Sequence, residues 1–123
     1  MLKFNRLVKS FQYAFRGFFK TWTEEQNLQI QSMAGVIVLL LAAFFRVGRV
    51  EWIILIFIIG LVMLMELANS AVERIADVLK PRINTYVKEI KDISAAAVMF
   101  SSFVAIIVGI LVFWPYFRTF FAR

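Results

Sequence analysis

Residues 52–77 read WIILIFIIGLVMLMELANSAVERIAD. The first part, Trp52 to Leu67, is apolar apart from Glu66. A hydrocarbon core of roughly 30 Å is crossed by about 20 such residues in a helix. No Gly or Pro interrupts the polar continuation before Pro81, so one helix is expected to run out of the membrane through Asp77. At 100° per residue, Glu66, Asn69, Glu73 and Asp77 share one face within about 80°. Glu66 and Glu73 are then roughly 10.5 Å apart along the axis. Glu66 directly follows the apolar run, at or just inside the hydrocarbon boundary. A carboxylate at bilayer depth costs about 2.5–3.5 kcal/mol on insertion scales. Three acids and an amide on one face do not serve packing; they call for cations, hydrogen-bond donors or a metal. The bland reading, a solvated helix end, suits Asp77 and Arg74 better than Glu66 and Asn69, which stand among Met63, Leu64, Met65 and Leu67.

The rest of the chain agrees with a membrane reading. It has 123 residues, 62% hydrophobic and only 18% charged, with fourteen Phe and three Trp. Its mean hydropathy is +0.80, too apolar for a soluble domain of this length. Two further apolar stretches complete a set of three spans, at about 30–47, 52–74 and 93–116. The short segment Arg46–Glu51 makes the first two an antiparallel hairpin. Nothing is long enough for a second domain, so 1–123 is expected to be a single all-α membrane domain. The first 22 or so residues form a surface helix rather than a signal peptide. Phe4, Leu7, Val8, Phe11, Phe15, Phe18 and Phe19, together with Leu2, recur at helical spacing, with Lys3, Arg6, Lys9, Arg16 and Lys20 between them. That pattern lies in the membrane interface.

Charge gives the orientation. Ten Lys/Arg fall in the N-terminal segment and in the 74–92 segment, against four (Arg46, Arg49, Arg118, Arg123) at the opposite side. The N-terminus and the 74–92 segment are therefore expected in the cytoplasm.

The absence of Cys and His excludes disulfides, thiol nucleophiles, imidazole bases and the usual zinc sites. Catalysis would rest on carboxylates, Lys, Arg, Tyr, hydroxyls or an oxygen-ligated metal. Glu24-Glu25 stand at the mouth of the first span, and Lys91-Asp92 at the mouth of the third. Carboxylates gathered from several helices suit a hard cation, and Mg²⁺ is the natural choice. Lys80, Arg82, Lys88 and Lys91 bring positive charge beside them. Acids for Mg²⁺ with Lys/Arg for phosphate is the inventory of phosphoryl transfer. No Gly-rich loop is present to cradle phosphates, since all five Gly are isolated. Any nucleotide site is built on helix surfaces. In the third span Ala97, Ser101, Ala105 and Gly109 form a small-residue seam that permits close helix approach. Three thin spans shield the acidic stripe poorly, so a homo-oligomer is expected. A small oligomeric channel or transporter subunit, with the acids lining an ion path, is the rival reading.

The two polar blocks, E-L-A-N-S-A-V-E-R-I-A-D at 66–77 and K-D-I-S-A-A-A-V at 91–98, closely resemble the prokaryotic diacylglycerol kinase/undecaprenol kinase family. The resemblance spans nearly the whole chain and includes Glu25, Asn27 and Ile30. It implies a homotrimer of the prokaryotic cytoplasmic (inner) membrane, with sites shared between protomers. The activity implied is ATP-dependent phosphorylation of a lipid alcohol, with no nucleic-acid partner. Glu66 matches the catalytic carboxylate, a general base on the lipid hydroxyl. Glu25 and Glu73 match acids holding the nucleotide's Mg²⁺. Arg6, Tyr13, Asn69, Lys91 and Asp92 match residues around ATP. The lipid is expected near Trp22, Ala95 and Glu66. Two positions depart from the family: Asn84 stands where some relatives carry His, and Gln31 where relatives often carry His or an acid. The segment EQNLQI, 25–30, looks more like the undecaprenol type than the diacylglycerol type.

Overall fold

A computed structural model describes residue 1, residues 3–79 and residues 84–123, the side chain of Asn84 excepted. Leu2, Lys80, Pro81, Arg82 and the readings that fall on them lie outside the described residues, as does the side chain of Asn84. Four helices make up the fold: α1 (Phe4–Glu24), α2 (Gln26–Phe45), α3 (Arg49–Leu79) and α4 (Asn84–Phe121). No strand occurs among the described residues. The last three are each long and apolar enough to cross a membrane, as the all-α membrane reading requires.

Each boundary has a local cause. α1 and α2 are separated by one residue, Glu25, whose φ −108° and ψ 108° are extended rather than helical. The Glu25 N–H still reaches the Thr21 carbonyl at 2.8 Å. The Gln29 side chain donates back to the Trp22 carbonyl at 2.8 Å, which braces the bend. α2 ends where Arg46 enters the left-handed region at φ 53°. The Val47 N–H then returns to the Ala42 carbonyl at 3.2 Å. This closes the orphaned carbonyls of the last turn in the usual way for a helix C-terminus, though with Arg where Gly is commoner. α3 opens with Gly48 at its N-cap, whose N–H donates to Glu51 Oε2 at 3.1 Å, half of a capping box.

With 31 residues, α3 is about 46 Å long. It exceeds the hydrocarbon thickness, so its polar end projects from the bilayer. Glu66 lies about 25 Å along the axis from Arg49, close to where a span of roughly 30 Å ends. α4 extends from Asn84 to Phe121 and carries Pro115 within it. The helices are longer than the apolar stretches alone, because helical hydrogen bonding continues into polar flanks that contact water.

The spans pack tightly at the end remote from Glu66. Ala42, Val47, Leu55 and Phe113 form the buried cluster, flanked by Leu41, Phe45, Trp52, Tyr116 and Phe117. The Phe45 ring sits 5.0 Å from Phe117, 6.0 Å from Tyr116 and 6.1 Å from Phe120, centroid to centroid, within the range in which aromatic pairs attract. Tyr116 also donates its hydroxyl to Glu51 Oε2 at 2.5 Å. One carboxylate thus caps α3 and ties it to α4. Nearer the middle, α2 and α3 approach closely at Gly35, where a Cβ would meet Ile59 Cγ2 at 3.0 Å. Of the small-residue seam, Ser101 is buried, while Ala105 and Gly109 line an apolar cleft between α2, α3 and α4. α1 buries no residue and presents Phe4, Leu7, Phe11, Phe15 and Phe19 outward.

Tyr116→Phe removes the donor that links α4 to Glu51 and is expected to lower stability by about 1–2 kcal/mol. Thermal unfolding in detergent checks this: a loss is expected for Tyr116→Phe and none for exposed Tyr86→Phe.

Candidate active site

The helix turn that carries Glu66 decides the chemistry. Glu66 is only 1% exposed although it is a carboxylate among apolar neighbours. Its partner comes from α2: Gln31 Nε2 donates to Glu66 Oε2 at 3.2 Å. The Asn27 amide and the charges of Glu25 and Glu73 also bear on Glu66. Asn69 and Ser70, one turn further along α3, are buried as well, at 8% and 2% exposure. Asn69 Nδ2 approaches Glu73 Oε1 at 3.5 Å. Three buried oxygens here have no hydrogen-bond partner: Gln31 Oε1, Asn69 Oδ1 and Ser70 Oγ. Buried polar atoms are normally paired. Two amide oxygens and one hydroxyl therefore keep unused hydrogen-bonding capacity on the turns around Glu66.

Glu25 reaches this cluster because of the bend. It is the single extended residue between two helices, at the start of the first apolar span. Leu28, fully buried, pins the start of α2 behind it. Two ion pairs close the same end of the bundle. Arg74 donates to Glu24 Oε2 at 2.6 Å, joining α3 to the end of α1. Lys91 donates to Asp77 Oδ1 at 2.9 Å, joining α4 to α3. The three helix mouths therefore meet at one face, and Lys91 arrives on the same side as Glu73.

The expected site residues divide into two groups. Glu25, Glu66, Asn69 and Glu73 come together with Gln31 and Asn27. Lys91 sits at the rim, engaged by Asp77, with Asp92 and Ala95 exposed beside it on α4. Arg6 and Tyr13 are exposed on α1 and make no hydrogen bond or ion pair with the cluster among the described residues. Arg16 instead lies over the Tyr13 ring, 5.7 Å from its centroid. Trp22 lines an apolar cleft of about 370 Å³ with Phe18, Phe19, Gly35, Ile59 and Met63. A larger cleft of about 610 Å³ runs between α2, α3 and α4, and Gln31 is one of the few polar residues on its wall. A bound lipid would find apolar surface leading toward Glu66.

No cluster of three or more acidic side chains poised to hold a metal ion is present among the described residues. The donor set nevertheless fits Mg²⁺. That ion takes one or two carboxylates from protein, completes its shell with water and phosphate oxygens, and needs no all-protein cage. Glu25 and Glu73 supply two hard oxygen donors, each partly open to solvent. Unpartnered buried oxygens lie on the same helices, at Gln31, Asn69 and Ser70.

The family model described as prokaryotic diacylglycerol kinase matches residues 12–113. The chain is 33% identical over 111 residues to the undecaprenol kinase of Bacillus subtilis (strain 168), covering 90% of each protein. It is 27% identical over 114 residues to the diacylglycerol kinase of Escherichia coli (strain K12), covering 93% of each. It is 31% identical over 104 residues to the diacylglycerol kinase of Synechocystis, covering 84% of this chain and 59% of the relative.

The two ion pairs at the site's rim are solvent-exposed, so they orient side chains more than they stabilise the fold. Arg74→Ala and Lys91→Ala are each expected to cost under about 1 kcal/mol of stability. Thermal unfolding of both variants, at low and at high salt, measures this.

Proposed function

This chain belongs to the prokaryotic diacylglycerol kinase family and is a lipid kinase; on that premise we propose that it transfers the γ-phosphoryl group of ATP to the hydroxyl of a membrane lipid alcohol, with Glu66 as general base. The observation that carries this reading is Glu66 itself. It is buried at 1% exposure, about 25 Å along α3 from its start, with an apolar cleft leading to its partner Gln31. A carboxylate is retained at such a cost only where its charge is used.

An alcohol is too weak an acid to ionise unaided at neutral pH. A carboxylate in hydrogen-bond reach takes the proton as the new O–P bond forms. Glu66 performs this role from the membrane side. Glu25 and Glu73 hold Mg²⁺ from the water side. An ion held there would supply neutralising charge to the ATP phosphates. Asn69 steadies Glu73 through its amide. Lys91 offers a cation at the rim once it exchanges Asp77 for phosphate, with Asp92 beside it. Arg6 and Tyr13 of α1 contact the nucleotide, and Trp22 and Ala95 flank the lipid's entry. Most of the rate enhancement comes from alignment and electrostatics, as in other phosphoryl transfers.

The acceptor lipid is undecaprenol or diacylglycerol. We favour undecaprenol, on the Glu25–Ile30 segment and on the resemblance to the Bacillus subtilis enzyme. The assembly is a homotrimer in the prokaryotic cytoplasmic membrane, its N-terminus cytoplasmic. The wide exposure of Ile53, Phe57, Phe100, Phe103 and Ile107 on the spans supports a contact with lipid and neighbouring protomers.

Purified protein given labelled ATP, Mg²⁺ and each lipid tests the reading. Transfer of label to a lipid alcohol is the expected result, and no transfer to either lipid rejects it. Glu66→Gln should abolish transfer while the variant inserts and assembles normally, since a neutral amide is cheaper to bury. Glu25→Ala and Glu73→Ala should each raise the Mg²⁺ concentration needed for half-maximal rate, because each removes a hard oxygen donor. A Mg²⁺ titration of the initial rate reads both.

A further inference from the structure

Gln31 contacts the reactive carboxylate and also lines the cleft that leads to it. Its Nε2 donates to Glu66 Oε2 at 3.2 Å, while its Oε1 is buried and has no partner. An acceptor left unpaired in the interior costs about 1–3 kcal/mol. An ionised carboxylate cannot relieve that cost, since it only accepts. A protonated carboxyl can, because it gains an O–H donor. The side-chain amide carries a donor and an acceptor side by side, the complement of a carboxylic acid's C=O and O–H.

We infer that Gln31 is a positioning residue for Glu66 in both of its protonation states. Before transfer, the Gln31 N–H holds the Glu66 carboxylate toward the arriving hydroxyl. In the transfer step the lipid O–H bond breaks and the lipid oxygen bonds the γ-phosphorus. The bond from that phosphorus to the ADP oxygen breaks, and the lipid's proton passes to Glu66. Glu66 then donates that proton to Gln31 Oε1 as a hydrogen bond, so the unpaired acceptor is satisfied when the base has done its work. Of the other groups directed at Glu66, the exposed Asn27 amide also offers a donor. Glu25 and Glu73 add negative charge, and Asn27 approaches from the first turn of α2. On α4, Lys91 is engaged by Asp77. The inference rests on the reading of Glu66 as base.

The test compares Gln31→Met, similar in length but with neither an N–H nor a C=O, with Gln31→His, whose neutral ring keeps one donor and one acceptor. Steady-state kinetics are measured with ATP and with whichever of undecaprenol and diacylglycerol the wild-type protein phosphorylates. In Gln31→Met, kcat should fall about tenfold or more, the value of a hydrogen bond to a charged group. KM for ATP and for lipid should stay within about twofold. Gln31→His should recover kcat to within about threefold of wild type. Three results overturn the inference: unchanged kcat in Gln31→Met, a raised lipid KM at constant kcat, or Gln31→His as slow as Gln31→Met. The second would reduce Gln31 to a wall of the cleft. If Gln31→Met does not assemble, Gln31→Leu replaces it; it likewise has neither donor nor acceptor, and wild-type kcat there also overturns the inference. A wild-type protein that phosphorylates neither lipid fails the kinase reading and this one together. An active wild type with an unaffected Gln31→Met fails this one alone.

Discussion

A carboxylate buried near the end of a membrane span constrains everything around it. Glu66 is 1% exposed, and a charge at that depth costs several kcal/mol unless neighbours compensate. The compensation available is small: one amide hydrogen bond from Gln31 and a second amide, Asn27, nearby. The other neighbours, Glu25 and Glu73, bring like charge. A structure that stores negative charge and unpaired acceptors in one place is incomplete without a cationic or proton-donating guest.

Stability is supplied at the other end of the bundle. There Phe45, Phe113, Tyr116 and Phe117 interlock, and Glu51 joins the cap of α3 to α4. This division lets the polar end depart from ordinary packing rules. Function tolerates local conflicts where the remainder of the molecule is consistent. The bend at Glu25 belongs to the same logic. A continuous helix through residues 4–45 could not lie in the interface and also cross the membrane. One extended residue resolves the conflict, and the residue that does so is an acid of the site.

α1 and the apolar surfaces of the spans are shaped by lipid. The outward Phe and Leu side chains of α1 bury nothing within the protomer. They gain their transfer free energy from acyl chains, while Lys and Arg on the other face meet headgroups. Of the two clefts, one is lined by Trp22 and the other reaches Gln31, the partner of Glu66. On the proposed function, a reactive group reached from the bilayer and a nucleotide approached from water require a site at their boundary.

Much of this was written in the sequence. Run length and hydropathy determine three spans, because the bilayer sets one length scale for all of them. The periodicity of 66–77 determines that Glu66, Asn69 and Glu73 share a face, because a helix has a fixed turn. The tertiary structure alone decided what that face meets. Gln31 and Glu66 are 35 residues apart, Glu24 and Arg74 50, and Glu51 and Tyr116 65. No periodicity links such pairs, since each depends on how two helices are rotated against one another by bulky and small side chains such as Ile59 and Gly35. The extended geometry of Glu25 was equally hidden. Glu, Gln and Asn carry no strong signal for a break, and the bend exists because one segment is drawn to the interface while the next is drawn through the membrane.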